Sequence, residues 1–94
     1  MTDLHIARTH TLGLEEIRKF AFSWAELVER EHGLTCVYQE GDEEDELTFT
    51  GPGIRGLLLA SSEKLVIQVK LGIFLGALKS NLEIEINKQL DLHL

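Results

Sequence analysis

Apolar and polar positions change period several times along the chain, and each change marks an element. Leu4 and Ile6 alternate with His5 and Ala7, the two-residue repeat of a strand, over Leu4–Thr9. From Leu14 the step lengthens to three and four residues. Leu14, Ile17, Phe20, Ala21, Trp24, Leu27 and Val28 form one stripe on a helix predicted from Leu14 to His32. Gly13 stands at its N-cap, Glu15 and Glu16 lie in the first turn where the helix dipole favours anions, and Gly33 supplies the left-handed residue that ends it. Four strand-like segments follow: Leu34–Glu40, Glu46–Thr50, Ile54–Ala60 and Leu65–Leu71. Short, turn-like separators make them consecutive antiparallel neighbours. The final segment, Leu75–Leu92, returns to helical spacing through Leu75, Leu78, Leu82, Ile86 and the Gln89/Leu90 position. The order β-α-β-β-β-β-α predicts an α+β fold: an antiparallel sheet of about five strands with both helices on one face, in a single domain spanning residues 1–94.

Charge changes this picture in one place. The chain has 16 Asp+Glu against 9 Lys+Arg, a formal net charge of −7. Six of the acids fall in Glu40–Glu46, and removing them leaves ten acidic residues against nine basic. The expected reading of this run is a solvated hairpin tip that also discourages edge-to-edge pairing, rather than a cation site, because it lacks the alternating ligand spacing of a calcium loop. No stretch is basic enough to follow a phosphate backbone, so nucleic acid is not an expected partner. The N-terminal residues do not read as a secretory signal, and no apolar run is long and unbroken enough to span a bilayer. A cytoplasmic protein without integral membrane association is expected.

Candidate chemistry is sparse. The histidines at 5, 10, 32 and 93 show no paired ligand spacing, and no serine sits in a nucleophile-elbow context. Cys36 is the sole cysteine, which excludes an internal disulfide, and it alternates with Leu34 and Tyr38 as a small buried hydrophobe would. Gly51-Pro52-Gly53 reads as a turn, with Gly56 beyond it a point of close approach or a bulge. No catalytic, cofactor-binding or metal-binding residues are assigned, no cofactor is expected, and the protein is expected not to be an enzyme. Trp24 is assigned to the core.

Some apolar residues do not fit a two-layer monomer. Leu57, Leu59 and Val66 fall on the sheet face away from the helices, Phe22 lies roughly opposite the centre of the first helical stripe, and Ile84 is off the second. Leu57, Leu59 and Val66 are the candidate partner interface, with Phe22 or Ile84 as a second patch, in a homodimer or other homo-oligomer.

Three stretches carry a resemblance: HTLGLEEIRKF, HGLTCVYQEGDEEDELTF and VKLGIFLGALKSNLEIEINKQLD. With the segments between them, they resemble the polyhydroxyalkanoic acid system proteins, small bacterial proteins named for their occurrence with polyester-granule genes. The resemblance implies a cytoplasmic accessory role near polyester granules or their proteins and supplies no catalytic residues. The expected function is therefore a non-enzymatic accessory protein acting by partner or granule-surface contact. The element order also resembles a shortened helix-grip domain, the fold of many lipid-binding proteins. The alternative function is accordingly a small hydrophobic-ligand carrier, with a pocket between Leu75, Leu78 and Leu82 of the last helix and Ile67 and Val69 of the sheet. Simple core filling by those residues is preferred over a pocket, because so short a chain has little core to spare.

Overall fold

The computed structural model describes residues 4–94, apart from the side chains of Ile73 and Phe74. The elements are β1 (Leu4–Thr9), α1 (Gly13–His32), β2 (Thr35–Gln39), β3 (Glu44–Gly51), β4 (Ile54–Ser61), β5 (Lys64–Leu71), a 3-10 segment (Ile73–Leu78) and α2 (Lys79–His93). The strands form one antiparallel sheet in the order β1-β5-β4-β3-β2. β1 reaches its place by pairing with β5, Ile6 opposite Ile67, so the first strand closes against the last. The fold is the α+β arrangement predicted by the apolar pattern.

The alternation along each strand decides which face the helices cover. Leu4, Ile6, Leu47, Phe49, Leu58, Ala60, Leu65, Ile67 and Val69 point to one side and are buried. Ile17, Ala21, Trp24 and Val28 of α1 and Ile86 and Leu90 of α2 close that side. Fully burying each large aliphatic side chain stabilises the fold by about 1.5–3 kcal/mol. α1 lies over β4 and β3, whereas α2 reaches toward the β1 edge. Arg8 on β1 holds α2 there, donating to Asn87 Oδ1 at 2.9 Å and pairing with Asp91 at 2.8 Å.

Two boundaries differ from the sequence expectation by two residues or more, and Gly13 is the first residue of α1 rather than its N-cap, which is Leu12. β3 begins at Glu44, inside the acidic run, rather than at Glu46. The last helical segment opens as a 3-10 turn, and α2 proper starts only at Lys79. Gly53 takes φ 74° after Pro52 and closes the β3–β4 turn in the left-handed conformation that glycine adopts without steric cost. Gly56 stays in continuous register and is the close-approach point: the Phe49 ring lies against it where a Cβ would stand. His10 joins the β1–α1 loop to the β4–β5 turn. Its Nδ1 accepts from the Leu12 N–H at 3.2 Å, which leaves Nε2–H to donate to the Ser61 carbonyl at 2.8 Å.

Candidate functional site

The covered face of the sheet is packed unevenly. Where the 3-10 segment crosses the sheet end, the Gly72 N–H donates to the Gly53 carbonyl at 2.8 Å, and Leu75 lies over Gly53. From there Leu75, Leu78, Leu82 and Ile86 descend as one wall. Trp24, Leu27 and Val28 of α1 form the opposite wall, and Leu34, Phe49, Ile54, Val69 and Leu71 form the floor. Between them is an apolar cavity of about 300 Å³. It exists because α1 and α2 are anchored over different strands and do not close on each other at this end. Among the described residues, the helices are joined across it by one hydrogen bond, from Trp24 Nε1–H to Gln89 Oε1 at 2.9 Å. Glu85 and His32, both exposed, add the ionisable groups of the lining.

This corrects the preference for a filled core. Leu75, Leu78 and Leu82 line open space, while Ile67 and Val69 are both fully buried in the core, Val69 at the cavity floor. Trp24 is 5% exposed, so it belongs to the core and to the cavity wall at once. Its ring meets Phe49 edge-on, 5.2 Å between centroids.

The other end of the same face is welded by charge. Asp45 is completely buried. Its carboxylate accepts from Arg18 Nε and Nη2 at 2.6 and 2.9 Å, from the Tyr38 hydroxyl at 2.7 Å and from the Gly41 N–H at 3.1 Å. Arg18 also donates to the Gly41 carbonyl at 3.1 Å, so one guanidinium fixes both the acid and the loop that precedes it. Burial by itself would raise the Asp45 carboxyl, but the hydrogen bonds from Arg18, Tyr38 and Gly41, with the Arg18 charge, hold it below the ordinary carboxylate range. Burial first, and then the bond to Asp45, pushes the Tyr38 phenol up. The acidic run is therefore not wholly a solvated tip. Glu40, Asp42, Glu43, Glu44 and Glu46 are exposed, and Asp45 is the anchor of the hairpin.

The five candidate interface residues separate into three places. Leu57, Leu59 and Val66 lie together on the uncovered sheet face, Leu59 opposite Val66 and each half-buried by its neighbours. Val37, 54% exposed, stands on the same face beyond Thr48. Phe22 is not part of this surface: its ring stacks on Tyr38 with centroids 4.1 Å apart, because it follows Arg18 by one turn toward β2. Ile84 is 66% exposed on the outer side of α2 and joins neither.

The family model described as "Putative polyhydroxyalkanoic acid system protein" matches residues 4–94. The chain belongs to that family. No curated protein and no solved structure matches it. The match to the polyhydroxyalkanoic acid system family covers the whole cavity, the Asp45 network and the uncovered sheet face alike.

Among the described residues, no three metal-ligating side chains converge, and no helix is long and apolar enough to cross a membrane. Cys36 is half-buried against α1, its thiol 3.8 Å from the Ala25 carbonyl, and burial pushes it up toward the unreactive protonated form. Sequence reasoning missed two groups that matter: Asp45 and Gln89. The signal for Asp45 was present, since alternation places it on the face of Leu47 and Phe49. Gln89 fell beside Leu90 on the last stripe and carried no signal of its own.

Proposed function

We propose that this member of the polyhydroxyalkanoic acid system family is a non-enzymatic, cytoplasmic accessory protein that takes a small apolar ligand into the cavity between α1 and α2. The observation that carries the reading is the cavity itself. Its volume of about 300 Å³ reaches the lower end of small-molecule pockets, which run from about 300 to 1,000 Å³. An apolar wall with a few polar groups is the usual composition of such sites. Trp24 is the sole tryptophan and lines the cavity, so its emission reports occupancy directly. Benzene, a neutral apolar probe, should change that emission saturably, and Leu82→Phe, which narrows the space without adding a second tryptophan, should weaken the binding while leaving the fold intact. Emission that responds to benzene only linearly would remove this function.

A second reading is favoured by Leu57, Leu59 and Val66 lying side by side on an uncovered sheet. In it, two copies pack these faces together, or the face meets a polyester granule. Light scattering after size exclusion should give twice the chain mass of 10.6 kDa, reduced to one by replacing Leu57 and Leu59 with serine. A monomer at millimolar concentration counts against the dimer, and recovery only in the soluble fraction of polymer-accumulating cells counts against granule contact.

A further inference from the structure

We propose that the cavity recognises the carbonyl of a neutral acyl ester or thioester, through the side-chain amide of Gln89, and disfavours a free carboxylate. This rests on the ligand-binding reading above and names the ligand class for it. An indole N–H can only donate, so its bond to Gln89 fixes which end of the amide is oxygen. The oxygen is turned to Trp24, and the amide NH₂ is left with two donors. Among the described residues nothing accepts from them, and since no buried side-chain donor is left without a partner, this NH₂ stands where the cavity opens to solvent. A donor held in place beside apolar walls matches a ligand with an apolar chain and an oxygen acceptor at one end. Carbonyl, hydroxyl and carboxylate oxygens all accept, and the lining selects among them. Glu85 is the acid of the lining, and among the described residues no lysine or arginine lines the cavity to receive an anion. A carboxylate ligand would then lose its hydration in an apolar cavity and face a like charge. An ester or thioester carbonyl meets the donor without either cost. The volume suits a short acyl unit, and a polyester of hydroxyalkanoic acids is built of units of this chemistry.

The test uses the full chain at pH 8, Trp24 emission, and three probes: benzene, methyl hexanoate and hexanoate. Methyl hexanoate should bind well and hexanoate poorly. Q89E keeps an acceptor for Trp24 but removes both donors, so it should weaken methyl hexanoate by about three- to tenfold, one hydrogen bond's worth, with benzene unchanged. E85Q should tighten hexanoate and leave the ester alone. Because a charged residue at 89 could disturb the fold, the carbonyl stretch of bound methyl hexanoate is read independently in the unaltered protein and should move to lower frequency. Equal losses of benzene and ester in Q89E, or a carbonyl stretch at its apolar-solvent position, would overturn the proposal while ligand binding itself survives. If none of the three probes binds, the proposal and the functional reading fall together.

Discussion

The two ends of the covered sheet face are built from the same layers and held by opposite means. Around Asp45, one carboxylate, itself closed to water, accepts four hydrogen bonds from α1, β2 and the loop before β3. Around Trp24, α1 and α2 are linked by one side-chain hydrogen bond across an apolar space. A buried charge is expensive unless every lone pair is met, so the Asp45 end has one acceptable geometry. Apolar walls carry no such demand, and the cavity end keeps open volume. The rigid end positions α1, and α1 then presents Trp24 to the loose end. Strict packing is thereby confined to one end and open volume to the other.

Substitutions of one kind at both ends should break the symmetry most visibly. Leu47, fully buried on β3 two residues from Asp45, should lose about 4 kcal/mol on replacement by alanine, read from the urea midpoint. Asp45→Ala should cost about 3 kcal/mol, the low end for breaking a buried ion pair, because Arg18 keeps some contact with water. The acid dependence follows from the same group. The folded-state carboxyl lies below its unfolded value of about 3.9, so its stabilisation is complete above that pH and is lost as pH falls through the lower folded value. Asp45→Asn should flatten that limb of the stability curve. A variant as acid-sensitive as the parent would mean that Asp45 is not the group responsible.

Gly56→Ala should cost about 2 kcal/mol, because the new methyl meets the Phe49 ring and overpacking a tight site carries that penalty. Phe49 also floors the cavity, so the displaced ring should weaken benzene binding, which a merely local effect would not do. Leu82→Ala should cost about 1 kcal/mol, far below the buried-leucine range, since Leu82 already borders open space. Equal losses for Leu47→Ala and Leu82→Ala in parallel urea titrations would remove the distinction between the two ends.

Much of this was legible in the sequence, and the illegible parts have physical reasons. The three- and four-residue step of α1 and the alternation of β3, β4 and β5 predicted the architecture, because burying one face needs those periods whatever the partner. The same stripes named Leu75, Leu78, Leu82 and Val69 as facing one another, but periodicity does not say whether facing residues touch. Open volume depends on where α2 is anchored, and that is set by Arg8, Asn87 and Asp91, which are distant in sequence. Asp45 was hidden by its company: among five exposed acids its charge read as one more solvated group. Continuing the alternation of Leu47 and Phe49 two residues back would have exposed it. The stacking of Phe22 on Tyr38 was hidden for a related reason, since that partner could not be found from the helix alone.

The most direct test of a loose end held by a rigid one is a nitrogen–proton correlation spectrum during titration with benzene. The indole N–H of Trp24 gives a single resonance, as the chain has one tryptophan. The Nε–H of Arg18, bonded to Asp45 at 2.6 Å, reports the other end. The prediction is a saturable shift of the Trp24 resonance with the Arg18 resonance unmoved. A Trp24 resonance that does not move, or one that moves only together with Arg18, would contradict it.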